Sequence, residues 1–405
     1  MEPYCLFSAA TCAVGLLLLK WRIEKLSHDR KLGLRRLRVH VNGIRGKSTV
    51  TRILAGILRE AGHPTVAKTT GSAACVIDRL GVDRPIRRRG APTILEQVEI
   101  VRQLDWDIDA LVVECMAIKP EYQAICEEKI IRSHIGVITN VREDHQDVLG
   151  ESLQEIASNL MATCPRNGIL ITAERNPRLL PLFREFTACR GTKLIVTDPD
   201  EVSDDELAAF PYVAFKENIA IGFEFARSCG IDRQTALRGM AGAAPDPGVL
   251  RIEKRTLKDQ SLTWADLFAV NDRESVIQCV KKVKKLAPSG ACSIGLLNNR
   301  YDREHRALQF ARIASCDLEL DFLVLMGAYQ KPVEEELLRG GFPANRILRI
   351  ECGNQQEGSQ IVTSLLEQAS RDNRMTPSHW LLIGLVNIHT TEAESLRDWF
   401  SATVA

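Results

Sequence analysis

The stretch Val41–Thr49, with the sequence VNGIRGKST, decides the fold of the first half of the chain. An apolar, alternating run leads into it from Leu37, and a helical pattern of apolar residues follows over Thr49–Glu60. Strand, glycine turn and helix therefore come in this order, which is the context in which a glycine-rich loop binds phosphate.

The residue types in this loop suit a phosphorylated ligand. Gly43 and Gly46 let backbone N–H groups converge on an anion, and the start of the helix adds partial positive charge. Lys47 supplies a full positive charge, and Ser48 supplies a hydroxyl suited to Mg²⁺. The glycines lie closer together than in G-x-x-x-x-G-K-[S/T], so the loop is a shortened variant of the common motif. A plain glycine turn with a chance lysine is the alternative.

Strand and helix patterns alternate from residue 36 to residue 244. The predicted strands are Leu37–Asn42, Pro64–Lys68, Ala110–Glu114, Ile135–Asn140, Ile169–Thr172 and Lys193–Thr197, with helices at Thr49–Glu60, Thr93–Leu104, Pro120–Ile131, Ser152–Thr163 and Pro177–Thr187. This alternation predicts an α/β fold with a parallel sheet covered on both faces, and it places ligands at the carboxyl ends of the strands.

A second α/β domain is predicted after the segment Pro245–Gly248, PDPG, which disfavours both helix and strand. Its strands are expected at Thr263–Val270, Cys292–Leu297, Phe322–Met326, Arg346–Ile350 and Trp380–Ile383, and its helices at Arg273–Leu286, Arg303–Ser315, Lys331–Leu338, Ser359–Arg371 and Glu392–Phe400. We therefore expect a central domain over residues 36–244 and a smaller Rossmann-like domain over residues 245–405.

Composition narrows the function classes. The formal net charge of +1 over 405 residues creates no global field that would attract nucleic acid, so no nucleic-acid partner is expected. The twelve cysteines form no C-x-x-C pair, which indicates reduced thiols and not a metal or redox motif.

The first 35 residues differ from the rest of the chain. Residues 4–19 carry no charge, and the segment that follows is rich in Lys and Arg. This pattern predicts a membrane anchor over residues 1–20, a basic juxtamembrane segment over residues 21–35, and a main body on the cytoplasmic side of the cell membrane. A buried helix and a cleaved signal peptide are the alternatives, although a signal peptide carries its charges before the apolar run.

Two further polar groups end predicted strands. Glu114 closes the strand Ala110–Glu114, where a carboxylate suits a metal ligand or a general base, and a solvated strand end is the simpler alternative. Asn140–Gly150 follows the next strand, and His145 with its acidic neighbours is the kind of cluster from which metal sites are assembled. Because the carboxyl ends of parallel strands share one edge of a sheet, we expect these groups and the phosphate loop to form one active site.

Together these motifs resemble the Mur ligase superfamily of ATP-dependent amide ligases, and within it the branch that makes poly-γ-glutamate. The resemblance spans nearly the whole chain and is carried by Val41–Arg52, Lys68–Gly71, Glu114–Ala117, Asn140–Gly150, Ala244–Gly248 and Asn387–His389. It implies a Mur-ligase-like P-loop domain, an amino-terminal membrane anchor helix, and ATP with Mg²⁺, or Mn²⁺ as an alternative metal. It also implies glutamate and a growing poly-γ-glutamate chain as substrates, and small membrane partner subunits of a synthase complex.

The resemblance further implies roles for single residues. The ATP phosphates are expected to bind the loop residues Gly43, Ile44, Arg45, Gly46, Lys47, Ser48 and Thr49. The expected catalytic residues are Lys47, Glu114 and His145, and the expected metal ligands are Ser48, Glu114 and His145. Asn140 is expected to contact adenine, and Arg251 and Asp272 of the second domain are expected to contact the rest of the nucleotide.

Substrate contacts are expected from two other groups of residues. The densest basic loop contains Arg84, Arg87, Arg88 and Arg89. We interpret it as a clamp for a polyanionic γ-glutamyl chain, because arginine pairs bidentately with carboxylates, and a solvated charged face is the alternative. Arg300, Asn387 and His389 follow strands of the second domain and are assigned to the glutamate or nucleotide site.

The predicted function is ATP-dependent formation of γ-glutamyl amide bonds through an acyl phosphate, in the synthesis of poly-γ-glutamate as capsule or released polymer. Two alternatives stand beside it. One is a Mur- or folylpolyglutamate-type ligase that acts on a soluble acceptor. The other is a nucleotide-dependent regulator without ligase activity.

Overall fold

The computed structural model of the chain describes residues 2–71, 74–88, 90–144, 146–246, 249–268, 270, 272–350, 357–373, 377–387 and 390–402. The chain divides into two compact units, Met1–Pro247 and Gly248–Ala405. The boundary predicted from sequence, between residues 244 and 245, lies close to this division.

The first unit alternates strands and helices. Its strands are β1 (Leu37–Asn42), β2 (Thr65–Thr69), β3 (Cys75–Ile77), β4 (Asp83–Pro85), β5 (Ala110–Glu114), β6 (Ile135–Ile138), β7 (Ile169–Thr172) and β8 (Lys193–Val196). Its helices are α1 (Glu2–Gly33), α2 (Lys47–Glu60), α3 (Leu95–Gln103), α4 (Pro120–Ile125), α5 (Gln146–Leu149), α6 (Leu153–Leu160), α7 (Leu180–Cys189), α8 (Asp204–Ala208), α9 (Lys216–Ser228) and α10 (Arg233–Gly242). A π-helical turn, Cys126–Ile131, continues α4, and 3₁₀ turns lie at Met161–Thr163 and Pro199–Glu201.

One eight-stranded sheet forms the centre of the first unit, in the order β4-β3-β2-β5-β1-β6-β7-β8. The neighbouring strands β2, β5, β1, β6, β7 and β8 are parallel. Strands β3 and β4 extend the sheet beyond β2 with antiparallel pairing. The parallel strands are the predicted ones, because strands buried on both faces appear in sequence as apolar runs. The sequence does not predict β3 and β4, since each is too short for a pattern and β4 is an exposed edge strand that tolerates Pro85.

Helices cover both faces of this sheet. Helices α2, α9 and α10 share one apolar core with β1, β2 and β5. On the opposite face, α3 and the π-helical turn form a second core with β2 and β5, and α6 and α7 form a third near β6 and β7. The predicted two-sided covering of a parallel sheet is confirmed.

The strand order brings four carboxyl ends together. Strands β2, β5, β1 and β6 are consecutive neighbours, so the segments that follow them meet at one edge. Val41, at the end of β1, is aligned with Glu114 at the end of β5, and Asn42 is aligned with Ile138 of β6. This edge is where an open α/β sheet binds its ligands.

The amino-terminal helix contradicts the predicted membrane anchor. Helix α1 runs unbroken across residue 20, where the anchor was expected to end. Within the part of the chain that the structure describes, no helix combines the length and the apolarity that crossing a bilayer requires. The reason is that the charge-free run ends at Leu19, before a span of about 20 residues is complete. The anchor and the membrane localisation inferred from it are therefore wrong.

The end of α1, predicted as a basic juxtamembrane segment, instead packs on the first unit. Leu32 is buried in the core with α3 and the π-helical turn. His28 Nε2 donates to the Ile130 carbonyl at 2.9 Å, and Arg132 donates to the Asp29 carboxylate at 2.6 Å. These contacts fix the last turns of the helix to the sheet domain.

The second unit has its own sheet, in the order β13-β12-β11-β14-β10-β9. The strands are β9 (Ile252–Leu257), β10 (Gln260–Asp266), β11 (Cys292–Asn299), β12 (Phe322–Gly327), β13 (Ile347–Arg349) and β14 (His379–Val386). The helices are α11 (Arg273–Leu286), α12 (Glu304–Asp317), α13 (Gln330–Arg339), α14 (Gly358–Asn373) and α15 (Thr391–Ser401), with a 3₁₀ turn at Ala344–Arg346. Only β9 is antiparallel among the described strands of this sheet.

Strand β9 is the element of the second unit that the sequence does not predict. Its residues IEKRTL carry charges on both faces, and it is half-exposed at the edge of the sheet. Helices α14 and α15 share an apolar core with one face of the sheet, and α11 to α13 lie together on the other. The predicted α/β fold with parallel sheets is confirmed for both units.

Candidate active site

The phosphate loop requires glycine at two positions. Gly43 and Gly46 adopt positive φ angles of 123° and 81°. A Cβ at Gly43 would lie 2.1 Å from Thr139 Oγ1, and one at Gly46 would lie 2.8 Å from Asn218 Oδ1. The backbone conformation therefore excludes a side chain at both positions, and at Gly43 the backbone nitrogen of Thr139, 2.8 Å from that Cβ, leaves no space for one. Helix α2 begins directly after this loop without a capping side chain among the described residues, so its first N–H groups can bind an anion.

Asn140 fixes the outer part of the loop. Its side-chain oxygen accepts from the Arg45 backbone N–H at 3.0 Å, and its amide nitrogen donates to the Arg45 carbonyl at 3.1 Å. The Ile44 N–H donates to the Asn140 carbonyl at 3.2 Å. The Asn140 amide thus shapes the loop, and its predicted contact with adenine stays a prediction. Arg45 also forms an ion pair of 3.0 Å with Asp144.

Lys47 lies over the loop that precedes it. Its Nζ donates to the Gly43 carbonyl at 2.8 Å and to the Ile44 carbonyl at 3.3 Å. Burial lowers the pKa of Lys47, and the negative charge of Glu114 partly opposes that effect. The ammonium is therefore held close to both the loop and the carboxylate at the end of β5.

Glu114 is buried and joins the neighbouring strand ends. Its Oε2 accepts from Ser48 Oγ at 2.8 Å and from the Thr70 backbone N–H at 2.7 Å. Gln97 Nε2 donates to the Glu114 backbone carbonyl at 3.2 Å. With an exposed fraction of 2%, this carboxylate is no solvated strand end. The structure brings Glu114 and Ser48 together as the sequence predicts.

The oxygen donors at this point fit a divalent cation. A serine hydroxyl and a carboxylate within hydrogen-bond distance are hard ligands of the kind that Mg²⁺ and Mn²⁺ prefer. The third predicted ligand, His145, lies outside the described residues. Among those that are described, no three His, Cys, Asp or Glu side chains converge as a metal-binding group. Ser48 and Glu114 are the two predicted ligands that the structure describes.

The predicted arginine clamp contains two arginines that already hold carboxylates. Arg84 donates to Asp78 Oδ2 from Nε at 3.0 Å and from Nη2 at 2.8 Å. Arg88 forms a bidentate pair with Glu96, with distances of 2.6 and 3.0 Å. Arg84 at β4 and Arg88 before α3 thus pair with carboxylates of this chain, and we call residues 84–88 the arginine segment.

Arg87 differs from its neighbours. It is exposed, and among the residues that the structure describes it has no hydrogen bond or ion pair. Arg89 lies outside the described residues. Behind this segment, the buried ammonium of Lys68 lies 3.6 Å from Glu96, so Glu96 connects the arginine segment to β2. Sequence reasoning named Lys68 only within the stretch Lys68–Gly71 of the family resemblance, and it did not name Glu96 as a site residue.

Of the predicted residues Arg251, Asp272 and Arg300, the last two have hydrogen bonds within the second unit. Asp272 caps α11, since its Oδ1 accepts from the Ser275 N–H at 2.9 Å. Arg251 is exposed and directly precedes β9. Arg300 pairs with Asp302 through two hydrogen bonds of 2.9 and 2.8 Å. Their predicted nucleotide and substrate contacts stay predictions.

Asn387 belongs to a buried amide pair at the carboxyl ends of β11 and β14. Asn298 Nδ2 donates to the Asn387 carbonyl at 2.7 Å, and Asn387 Nδ2 donates to the Asn298 carbonyl at 3.0 Å. Thr390 Oγ1 completes the pair by accepting from Asn298 at 2.9 Å. The preceding Val386 has a φ of 87°, which is strained for a β-branched residue. His389 lies outside the described residues.

Sequence reasoning missed Gln97 as a member of these clusters, and it named Thr70 only within a longer segment. Thr70 lies in the segment Lys68–Gly71 that carries the family resemblance, which is a usable signal. Gln97 acts through its side-chain amide on a neighbouring backbone, and its role depends on tertiary contact alone.

Two protein-family models match the chain. Residues 41–221 match the model of the Mur ligase middle domain, and residues 251–403 match that of the poly-γ-glutamate synthase CapB C-terminal domain. Together these regions cover the phosphate loop, Glu114 and the strand ends of the second unit.

Two solved structures share the fold at low sequence identity. One is FolC from E. coli in complex with DHPP and ADP, with a TM-score of 0.62, 14% identity, and coverage of 92% of this chain and 91% of that chain. The other is the bifunctional folylpolyglutamate synthase/dihydrofolate synthase from Yersinia pestis with AMPPNP and Mn, with a TM-score of 0.59, 14% identity, and coverage of 93% and 92%.

Two relatives are closer in sequence. The capsule biosynthesis protein CapB of Bacillus anthracis is 37% identical over 350 residues, which cover 85% of this chain and 75% of the relative. The PGA synthase CapB of Bacillus subtilis is 36% identical over 381 residues, which cover 93% of each. These relatives favour poly-γ-glutamate synthesis over a soluble acceptor or a regulator. The chain therefore belongs to the CapB family of poly-γ-glutamate synthases.

Proposed function

We propose that this ATP-dependent amide ligase of poly-γ-glutamate synthesis phosphorylates a glutamate carboxylate at the carboxyl end of its first sheet, between the phosphate loop and Glu114. The hydrogen bond of 2.8 Å from Ser48 to Glu114 carries the proposal. It joins the start of α2, which faces the phosphate loop, to the carboxylate of the neighbouring strand, so that phosphate and metal ligands share one pocket.

The reaction needs activation, because a carboxylate and an amine do not condense in water. A carboxylate oxygen attacks the γ-phosphorus of ATP, the bond to ADP breaks, and an acyl phosphate forms. The amine of the incoming glutamate then attacks the acyl carbon, and phosphate leaves as the amide bond forms. Both half-reactions use the same site.

Residues of the first unit have separate roles in phosphoryl transfer. Lys47 and the N–H groups at the start of α2 stabilise negative charge on the phosphoryl group. Ser48 and Glu114, with the predicted ligand His145, would hold a divalent cation, which would supply further positive charge during transfer. The Thr70 N–H and the Gln97 amide hold Glu114 in place, as outer contacts do around metal ligands.

We assign the residues that bind the γ-glutamyl substrate from their positive charge. The arginine segment presents Arg87 to solvent, and a γ-glutamyl chain carries a carboxylate on each residue. The named ligands of the Yersinia pestis structure, AMPPNP and Mn, support ATP with Mg²⁺ or Mn²⁺ as the cofactors. We also propose small partner subunits of a synthase complex, which rest on the family resemblance alone.

The test compares Lys47→Ala with the wild type in the presence of ATP, Mg²⁺ and glutamate or a γ-glutamyl primer. We expect the wild type to release phosphate only when glutamate is present and to form amide product. The variant should lose more than about 99% of turnover, as expected when a preorganised charge on the transferred group is removed. Circular dichroism checks that the variant is folded.

Lys119→Ala is the matched control, since Lys119 is an exposed lysine of the same unit. It should retain wild-type turnover. Glutamate-independent phosphate release by the wild type, without amide product, would refute the ligase assignment, and an active Lys47→Ala would refute the role of the loop.

A further inference from the structure

Arg52 is a buried arginine on the helix that follows the phosphate loop, and the proposed mechanism does not use it. It lies in the second turn of α2 and is 2% exposed. A guanidinium at such a position is costly unless carboxylates and carbonyls surround it. The partners of Arg52 come from two parts of the first unit, the strands β3 and β4 and residues 244–246.

The first partner is the strand that begins the arginine segment. Arg52 forms a bidentate pair with Asp83, with Nη1 to Oδ1 at 2.9 Å and Nη2 to Oδ2 at 2.7 Å. Nη2 also lies 3.2 Å from the Cys75 sulfur in β3. Asp83 immediately precedes Arg84 in β4, so this pair ties the antiparallel edge of the sheet to α2.

The second partner is the end of the first unit. Arg52 Nη1 donates to the Ala244 carbonyl at 3.4 Å, and its Nε lies 3.7 Å from Asp246 Oδ2. Asp246 is 6% exposed, which is unusual for a carboxylate in a segment between two units. From sequence alone, this segment, PDPG, is interpreted as a linker, and it is part of the stretch Ala244–Gly248 that carries the family resemblance.

The two groups of contacts make one arginine a common anchor. Its planar guanidinium presents several donors in a fixed geometry, so it can bond Asp83 and face Asp246 at the same time. Displacement of either carboxylate would leave the buried charge less well paired. Arg52 therefore fixes the positions of both the arginine segment and the linker relative to α2, the helix that begins at Lys47.

We propose that Arg52 is a positioning residue for amide-bond formation. From the phosphate-loop helix it holds the strand that leads into the arginine segment and the linker that leads into the second unit, and so keeps ATP turnover coupled to chain extension. The inference rests on the proposed function. When the anchor is weakened, the acyl phosphate still forms, but the acceptor and amine are less well oriented and water competes for the acyl group.

The test is the number of phosphates released per amide bond formed, measured together with ATP affinity and melting temperature. Arg52→Lys keeps the positive charge but loses the forked geometry, and Asp246→Asn removes one partner. We expect the ratio to rise about fivefold in each variant, the effect of losing one charge-assisted contact. ATP affinity should stay within about twofold of the wild type, because neither residue lies in the phosphate loop.

Arg59→Lys is the matched control on the same helix. Arg59 is half-buried and donates to the carbonyls of Thr65 and Asp78, and its hydrogen bonds do not include Asp83 or Asp246 among the described contacts. This variant should keep the wild-type ratio even if its melting temperature falls. If Arg52→Lys does not fold, Asp246→Asn carries the same expectation.

A purely structural role makes a different prediction. It would lower turnover and melting temperature together and leave the ratio unchanged in Arg52→Lys and Asp246→Asn, and that result overturns the proposal. An equal rise of the ratio in Arg59→Lys also overturns it. A wild type that forms no amide product refutes the proposed function itself, so the two failures are distinguishable.

Discussion

At the scale of single residues, one buried ionisable pair joins β1 to the π-helical turn. His40 of β1 is fully buried, and its Nδ1 lies 2.9 Å from Glu127 Oε2 in the π-helical turn. Glu127 also accepts from the Ser133 N–H at 2.8 Å and from its hydroxyl at 2.9 Å. Burial alone would lower the pKa of His40, but the neighbouring Cys115 and Glu127 raise it to about 9. The imidazolium is the form that this pocket stabilises.

This buried pair predicts a pH dependence of stability. Because the pKa of His40 is higher in the folded chain than its usual 6.5, its stabilising contribution is complete below pH 6.5 and is lost as the pH rises through about 9. At about 1.4 kcal/mol per pKa unit, the loss amounts to roughly 3 kcal/mol at most. Urea unfolding at pH 6 and at pH 9.5 measures it.

Substitution separates His40 from other titrating groups. His40→Gln should be less stable than the wild type at pH 6 and should lose most of the decline between pH 6 and 9.5. His63→Gln is the matched control, because His63 is exposed and lies 3.8 Å from Asp109. An unchanged decline in His40→Gln would show that the pair does not titrate in this range.

At the scale of elements, the arginine segment leads to a graded prediction. Arg84 and Arg88 hold carboxylates of the chain, whereas Arg87 is exposed. Arg87→Ser should therefore raise the KM for the γ-glutamyl chain about two- to fivefold, as expected for an exposed ion pair. Replacement of all four arginines at positions 84, 87, 88 and 89 by Ser should raise it further while ATP binding stays intact.

The control for this segment is Arg79→Ser, which removes an exposed arginine paired with Asp107 at 2.7 Å. Its KM for the polymer should equal that of the wild type. Steady-state kinetics at saturating ATP measure the effect, and unchanged polymer kinetics in the fourfold variant would exclude the clamp.

Helices and strands were predictable from sequence where the pattern of apolar residues matches the residues that are buried in the fold. The bounds of β1, β5 and β7 follow from short apolar runs that end at polar residues, and α11 begins and ends where its pattern does. Strands β3, β4 and β9 were not predictable, because β3 and β4 have only three residues each and the side chains of β4 and β9 are exposed or half-exposed at the edges of their sheets. The π-helical turn was predicted only as a continuation of α4, since local sequence does not encode its wider hydrogen bonding.

The candidate site was predictable to the same extent. Ser48 and Glu114 could be placed together because both lie at carboxyl ends of strands in one parallel sheet. The contacts of Thr70 and Arg52 could not be predicted, since the first is made by a backbone N–H and the second reaches Asp83 in β4, a strand that the sequence does not predict. Asn140 was expected to contact the nucleotide, and its two bonds to Arg45 show a role in loop geometry that pattern alone does not reveal.

At the scale of the whole molecule, composition misled only at the amino terminus. An apolar run with a basic flank predicts a membrane anchor, but length decides between a span and other helices, and this run is too short. The segment that follows the apolar run packs on the first unit instead, as the burial of Arg35 and of the neighbouring Leu32 shows. The two units, by contrast, follow the family resemblance over nearly the whole chain.

The central claim is that a glutamate carboxylate is activated as an acyl phosphate at the loop that begins with Gly43. Oxygen transfer tests it most directly, because the attacking carboxylate oxygen leaves in the phosphate when the amine forms the amide. With a substrate labelled with ¹⁸O in its acceptor carboxylate, we expect one labelled oxygen in the inorganic phosphate for each amide bond formed. Mass spectrometry of the phosphate measures it. Unlabelled phosphate, or label recovered in AMP, would contradict it.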